Sequence, residues 1–241
     1  MRVTVDPNES LLPPYIPTRK SVRWVGALFV LSAAVSWIAV GYDFAELRLS
    51  TSGHKVVPEV RLAHTATGAY VAGAQFVCLT VTGFAFLGWL HRVRVNVRAL
   101  GVRRLRYGRE WTFLGFLVPA LNALRPYQVI CEIWKASDPS TGDPLGWRSV
   151  PTPPLLALWW SLFVAYFALE AIALLMLRVA VTLPRIQMAH ALGLTADVCA
   201  ALSASFAYFV VLRISEAQEA KRSAWGRGAG TLPFDPRDAV A

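Results

Sequence analysis

Two carboxylates stand where this sequence should tolerate them least. Glu170 and Asp197 lie inside apolar runs, residues 155–177 and 189–212, each long enough to cross a bilayer. An ionisable group at that depth is costly, which makes each a candidate functional residue. Glu170 lies about seven residues before the end of its run, and Asp197 about eight after the start of the next. If the two runs form a helical hairpin, both acids fall on the order of 10–12 Å in from the same face. Gln75, in an earlier apolar run, falls slightly deeper from that face. Two acids at one depth can share a proton or coordinate a cation. The plainer reading is that each is hydrogen-bonded to Thr, Tyr or backbone, or faces the interface. The spacing leaves both readings open.

A second constellation is Asn122, Arg125 and Glu132. Asn122 and Arg125 are neighbours if the chain is helical there. Glu132 lies about two turns further on, roughly 10 Å away, so a direct bond to Arg125 is a stretch in a straight helix. The Arg125–Pro126 step also opposes a straight helix, because a residue before proline avoids the helical region. Arg125 is therefore expected to cap carbonyls freed by Pro126, or to pair with a carboxylate elsewhere. The plain reading is a bent, internally satisfied hairpin. The functional one is an anionic headgroup or substrate anion held by Arg125 and nearby arginines.

Other chemistries find little support. The three cysteines, Cys78, Cys131 and Cys199, sit in separate apolar runs, and no CxxC or Cys/His pairing at metal spacing appears. The histidines His64, His91 and His190 lie at span ends, where an interfacial role is more common than a haem ligand. No Ser/His/Asp order, HExxH or phosphate loop is present. Glycines 226, 228 and 230 lie in a basic tail that follows a helix rather than a strand, so they form no nucleotide fingerprint. The sequence therefore names no catalytic residue, no metal site and no cofactor.

The elements that must position these residues read as membrane helices. Of 241 residues, 55% are hydrophobic and only 16% charged, against about 25% charged in an average soluble domain. The expected fold is an all-α, polytopic membrane helix bundle. Four transmembrane helices, at about 24–44, 66–90, 155–177 and 189–212, are joined by a re-entrant or interfacial helical hairpin at 111–136. Asp43 and Glu46 are read as closing the first span. Residues 1–23 are expected to form a flexible cytoplasmic tail, and the first apolar run to be a retained anchor rather than a signal peptide. Residues 214–241 are expected to form a basic, mostly disordered cytoplasmic tail.

Arg92, Arg94, Arg98, Arg103, Arg104, Arg106 and Arg109 fill the linker 91–110. By the positive-inside rule this linker is cytoplasmic, and four spans put both termini on the same side. The net charge of +9 is thus explained by topology, and nucleic acid is not expected as a partner. The second span is expected to continue as an amphipathic helix to Gly101, with Arg94 and Arg98 sharing one face and Val93, Val97 and Leu100 on another. Pro119, Asn122, Arg125 and Pro126 break the next apolar run, which argues against a fifth span. Expected partners are the lipid bilayer, anionic lipids through the seven arginines, and an unidentified membrane protein.

Residues 89–137 also carry a resemblance. Their elements are Trp89, Trp111, the Pro-x-x-Asn-x-x-Arg-Pro turn of Pro119, Asn122, Arg125 and Pro126, and a helix end of Glu132, Ile133, Trp134, Ala136 and Ser137. This pattern resembles a bacterial multi-pass membrane family, domain of unknown function 4328. The resemblance implies a helical fold in a bacterial cell membrane and implies no activity. The function expected is structural, scaffolding or partner-binding, without catalysis. The alternatives are a small transporter or proton- or cation-conducting protein using Glu170 and Asp197, and an enzyme that binds lipid headgroups.

Overall fold

The computed structural model describes residues 13–51, 58–107, 124–142 and 144–228. Their regular structure is entirely helical: α1 (Arg19–Thr51), α2 (Pro58–Ala99), α3 (Arg125–Ala136), a 3-10 turn (Gly146–Ser149), α4 (Pro154–Val179) and α5 (Leu183–Gly228). Among the described residues, α1, α2, α4 and α5 are long and apolar enough to cross a membrane. This is the all-helical, four-span bundle expected from the sequence. α2 and α5 have 42 and 46 residues, about 63 and 69 Å of helix against a bilayer core of about 30 Å. Roughly half of each must therefore lie outside hydrocarbon.

The chain divides into two units. The span unit comprises the described residues of Lys20–Trp89 and Pro153–Val211. Small residues are prominent in its interior: Ala39, Ala173, Ala189, Ala196, Ala201 and Ala207 are all buried, alongside Phe86, Trp89, Leu156, Trp159 and Trp160. Many other large side chains, including Trp24, Tyr70, Phe76 and Phe84, are outside. Outward apolar bulk is the pattern expected where lipid is the solvent, and small residues let helix backbones approach. Ser32 and Thr82 exchange a 2.8 Å hydrogen bond. Around Phe86, the rings of Phe29, Trp89 and Trp159 pack with centroids 5.4–6.0 Å apart.

The second, basic unit comprises the described residues of Met1–Arg19, Leu90–Thr152 and Leu212–Ala241. It has a conventional apolar core of Leu90, Val93, Val97, Val129, Ile130, Ile133 and Ile214. A polar network runs through that core. Asn96 pairs twice with the backbone of Ile16, accepting from its N–H and donating to its carbonyl, both at 2.8 Å. Gln218 donates to the Val93 carbonyl at 2.9 Å and to Ser137 Oγ at 3.1 Å. Lys221 Nζ donates to the Ala136 carbonyl at 3.1 Å and to Thr141 Oγ1 at 2.9 Å.

Two expectations need correction. α1 does not close at Asp43 but continues to Thr51. The chain after residue 213 does not become disordered at once: α5 runs to Gly228, with Ile214, Ser215, Gln218 and Lys221 buried along one face. Their three- and four-residue spacing is a helical period, and the network above satisfies their polar atoms. Pro126 stands at a helix start. It occupies the first turn of α3, where a missing N–H costs nothing. With 12 residues, α3 is about 18 Å long, too short to span. The rest of the expected hairpin, 111–123, lies outside the described residues.

Candidate functional site

Each of the four long helices sends one polar side chain to a single cluster in the span unit. Gln75 of α2 donates from Nε2 to Asp197 Oδ1 of α5 at 2.7 Å. The carboxyl group of Asp43, from α1, lies close to that of Asp197, against the same turn of α5. Glu170 of α4 lies within electrostatic range of both acids. Tyr166, one turn before Glu170, is within range of Glu170 and Asp197. Asp197 is 7% exposed. Gly193, one turn before Asp197, makes room for the approach of α1: a Cβ there would stand 3.2 Å from Asp43 Oδ2.

Gln75, Glu170 and Asp197 are thus brought together. Asp43 was missed, because a charge at the edge of an apolar run reads as a boundary. The available signal was depth, since Asp43 also lies near the end of its run. Two carboxyl groups this close in an apolar setting are a place where one proton can be shared. Among the described residues, no three His, Cys, Asp or Glu side chains come close enough to hold a metal ion together.

The second predicted constellation comes apart. Asn122 lies outside the described residues. Arg125 donates to Tyr107 Oη at 3.4 Å and to Gln128 Oε1 at 3.3 Å, with its guanidinium 5.8 Å from the Tyr107 ring centre. Glu132 turns the other way. Its carboxylate pairs with Arg94 at 3.1 Å and accepts the backbone N–H groups of Arg106 and Tyr107, the latter at 3.4 Å. Both partners of the ion pair are almost wholly buried. Arg94 was expected among the lipid-binding arginines and on one face with Arg98. Instead it points into the core, while Arg98 is exposed. The reason is Glu132, whose buried charge needs a cation, and Arg94 on the inner face of α2 supplies it.

Around this ion pair the basic linker is fixed in place. α2 ends in a Schellman turn at Gly101, whose φ is 74°. The Gly101 N–H reaches the Arg98 carbonyl at 3.0 Å, and the Val102 N–H reaches Val97 at 3.3 Å. Beyond it, Val102 and Tyr107 are buried while Arg103, Arg104 and Arg106 are exposed. Arg109 lies outside the described residues.

Near the N-terminus, Tyr15 donates to Glu219 Oε1 at 3.2 Å, with Arg222 stacked 4.6 Å over its ring. Burial first, and then the Glu219 carboxylate, push the Tyr15 phenol up to about 12.

The family model described as "Domain of unknown function (DUF4328)" matches residues 53–216, so the chain belongs to that family. No curated protein and no solved structure matches the chain. The match covers α2, α4 and most of α5, and hence Gln75, Glu170, Asp197, Arg94 and Glu132. Asp43 falls outside it.

Proposed function

We propose that this protein is a multi-pass membrane protein that takes up and releases a proton within the bilayer, as a small transporter or proton-conducting protein. The observation that carries the reading is the gathering of Asp43, Gln75 and Asp197 from three helices, with Gln75 bonded to Asp197, Asp43 packed against Gly193 and Glu170 close by. A bare carboxylate is expensive in hydrocarbon, and a second beside it more so, whereas one proton held between the two removes much of the cost. Glu170 and Tyr166 offer neighbouring groups to which that proton can pass. The orientation rests on the positive-inside rule: the basic unit and both termini are cytoplasmic.

Reconstitution into liposomes loaded with a pH-sensitive dye tests this. Under an imposed membrane potential, wild-type vesicles should acidify or alkalinise faster than empty ones, and D43N/D197N vesicles should match the empty ones. Equal rates for wild-type and empty vesicles would remove the reading. The second reading is a structural or partner-binding role without catalysis. It is favoured by the basic unit, whose buried network joins four separate chain segments and displays a row of arginines. A deletion phenotype rescued fully by D43N/D197N would favour it over proton movement.

A further inference from the structure

The exposed arginines after α2 are held in place more firmly than topology alone requires. Between Arg103 and Tyr107 the backbone is tied inward at several points. The Arg103 N–H donates to the Pro144 carbonyl at 3.3 Å, and the Arg103 carbonyl accepts from Trp147 Nε1 at 3.3 Å. The Arg104 carbonyl accepts from Arg148 at 3.4 Å. The N–H groups of Arg106 and Tyr107 both go to Glu132. With its polar backbone so occupied, the loop cannot turn its side chains inward, and Arg103, Arg104 and Arg106 project to the outside.

Two details separate this loop from a merely solvated charge run. Arg104 adopts φ 52°, and it is the one residue other than glycine with positive φ among those described. Glycine or asparagine would take that conformation more easily, so an arginine there is held against its backbone preference. Such strain is typical of places where the side chain is used. The nearest buried acid, Glu132, is already neutralised by Arg94. Among the described residues, no carboxylate pairs with the guanidinium group of Arg103 or Arg104.

We propose that the loop 102–106 is a preformed seat for the phosphate of an anionic phospholipid, held by Arg103, Arg104 and Arg106. Guanidinium groups bind phosphate in a forked, two-bond geometry. A lipid is the source because the loop follows directly on a helix able to cross the membrane, and anionic headgroups line the membrane surface. The proposal is independent of the carboxylate cluster, since it uses different residues in the other unit.

The test uses the full chain purified in detergent with equal amounts of phosphatidylglycerol and phosphatidylcholine. Lipid retained through washing is counted by native mass spectrometry. Wild-type protein should retain phosphatidylglycerol in preference. That preference should fall about fivefold for each arginine replaced in R103Q, R104Q and R106Q. It should weaken in R103K/R104K/R106K, which keeps the charge and loses the fork, and survive in R178Q/R185Q, which removes two arginines elsewhere. Because all three loop side chains are exposed, the triple glutamine variant should melt as the wild type does. If it melts early, R104G alone keeps the test open, since glycine suits the backbone there and removes one guanidinium. Equal retention of the two lipids by wild type would overturn the proposal. So would unchanged preference in the glutamine variants or in R104G, or displacement of the lipid by millimolar inorganic phosphate, which would make the ligand a soluble anion.

Discussion

At the scale of single residues, three side chains behave against their type. Asp197 is a buried acid in an apolar helix, yet it accepts a hydrogen bond from Gln75 and has Asp43 close by. Arg94 is a buried cation, paired with Glu132. Arg104 is a bulky residue in a conformation suited to glycine. Each makes a prediction. Replacing Glu132 by alanine leaves the Arg94 charge buried and two backbone donors without an acceptor. It should destabilise the basic unit by about 3–5 kcal/mol, read as a lower unfolding midpoint in detergent. Arg104→Gly should be at least as stable as wild type. Arg104→Val should lose about 1–2 kcal/mol, because a β-branched residue fits that region worst. Glu170, Asp197 and Gln75 were legible because a polar residue in an apolar run is conspicuous. Arg94 was not, because it sits among six other linker arginines that topology explains, and only its partner sets it apart.

At the scale of elements, the ends of helices were harder to read than their middles. Asp43 and Glu46 read as closing the first span, and the last span reads as ending at 212, yet both helices continue, to Thr51 and Gly228. In each case the charged or polar residues are satisfied by a neighbour that sequence distance hides: Asp197 for Asp43, and Ser137, Ala136 and Thr141 for Gln218 and Lys221. Gly101 was legible as a helix end because its backbone freedom is a local property. The short segment before α1 is an element too, held by Asn96 and by Tyr15 on Glu219. Its packing should depend on pH. The Tyr15 phenol ionises near 10 when unpacked and about 12 when packed. The packed state then holds a proton that the unpacked state loses. Its stabilisation is complete below pH 10 and is lost as pH rises towards 12. Hydrogen exchange of the Ile16 amide should rise across that window beyond its intrinsic pH dependence. Tyr15→Phe should abolish the extra rise.

For the whole molecule, the chain belongs to a family of unknown function, and four helices long and apolar enough to cross a bilayer point to a membrane-embedded protein. That much could be read from run lengths, because a bilayer sets the length of what crosses it. The cluster could be read only in part, because depth along a helix follows from the sequence while the face each helix turns inward does not. The central claim is that the span unit holds a proton between Asp43 and Asp197. Infrared spectroscopy of the purified chain reads this most directly, as the carbonyl band of a protonated carboxyl group. Wild-type protein should show such a band, shifted in heavy water, and either Asp43→Asn or Asp197→Asn should remove it. A wild-type protein without the band, or a band that survives both substitutions, would contradict the account.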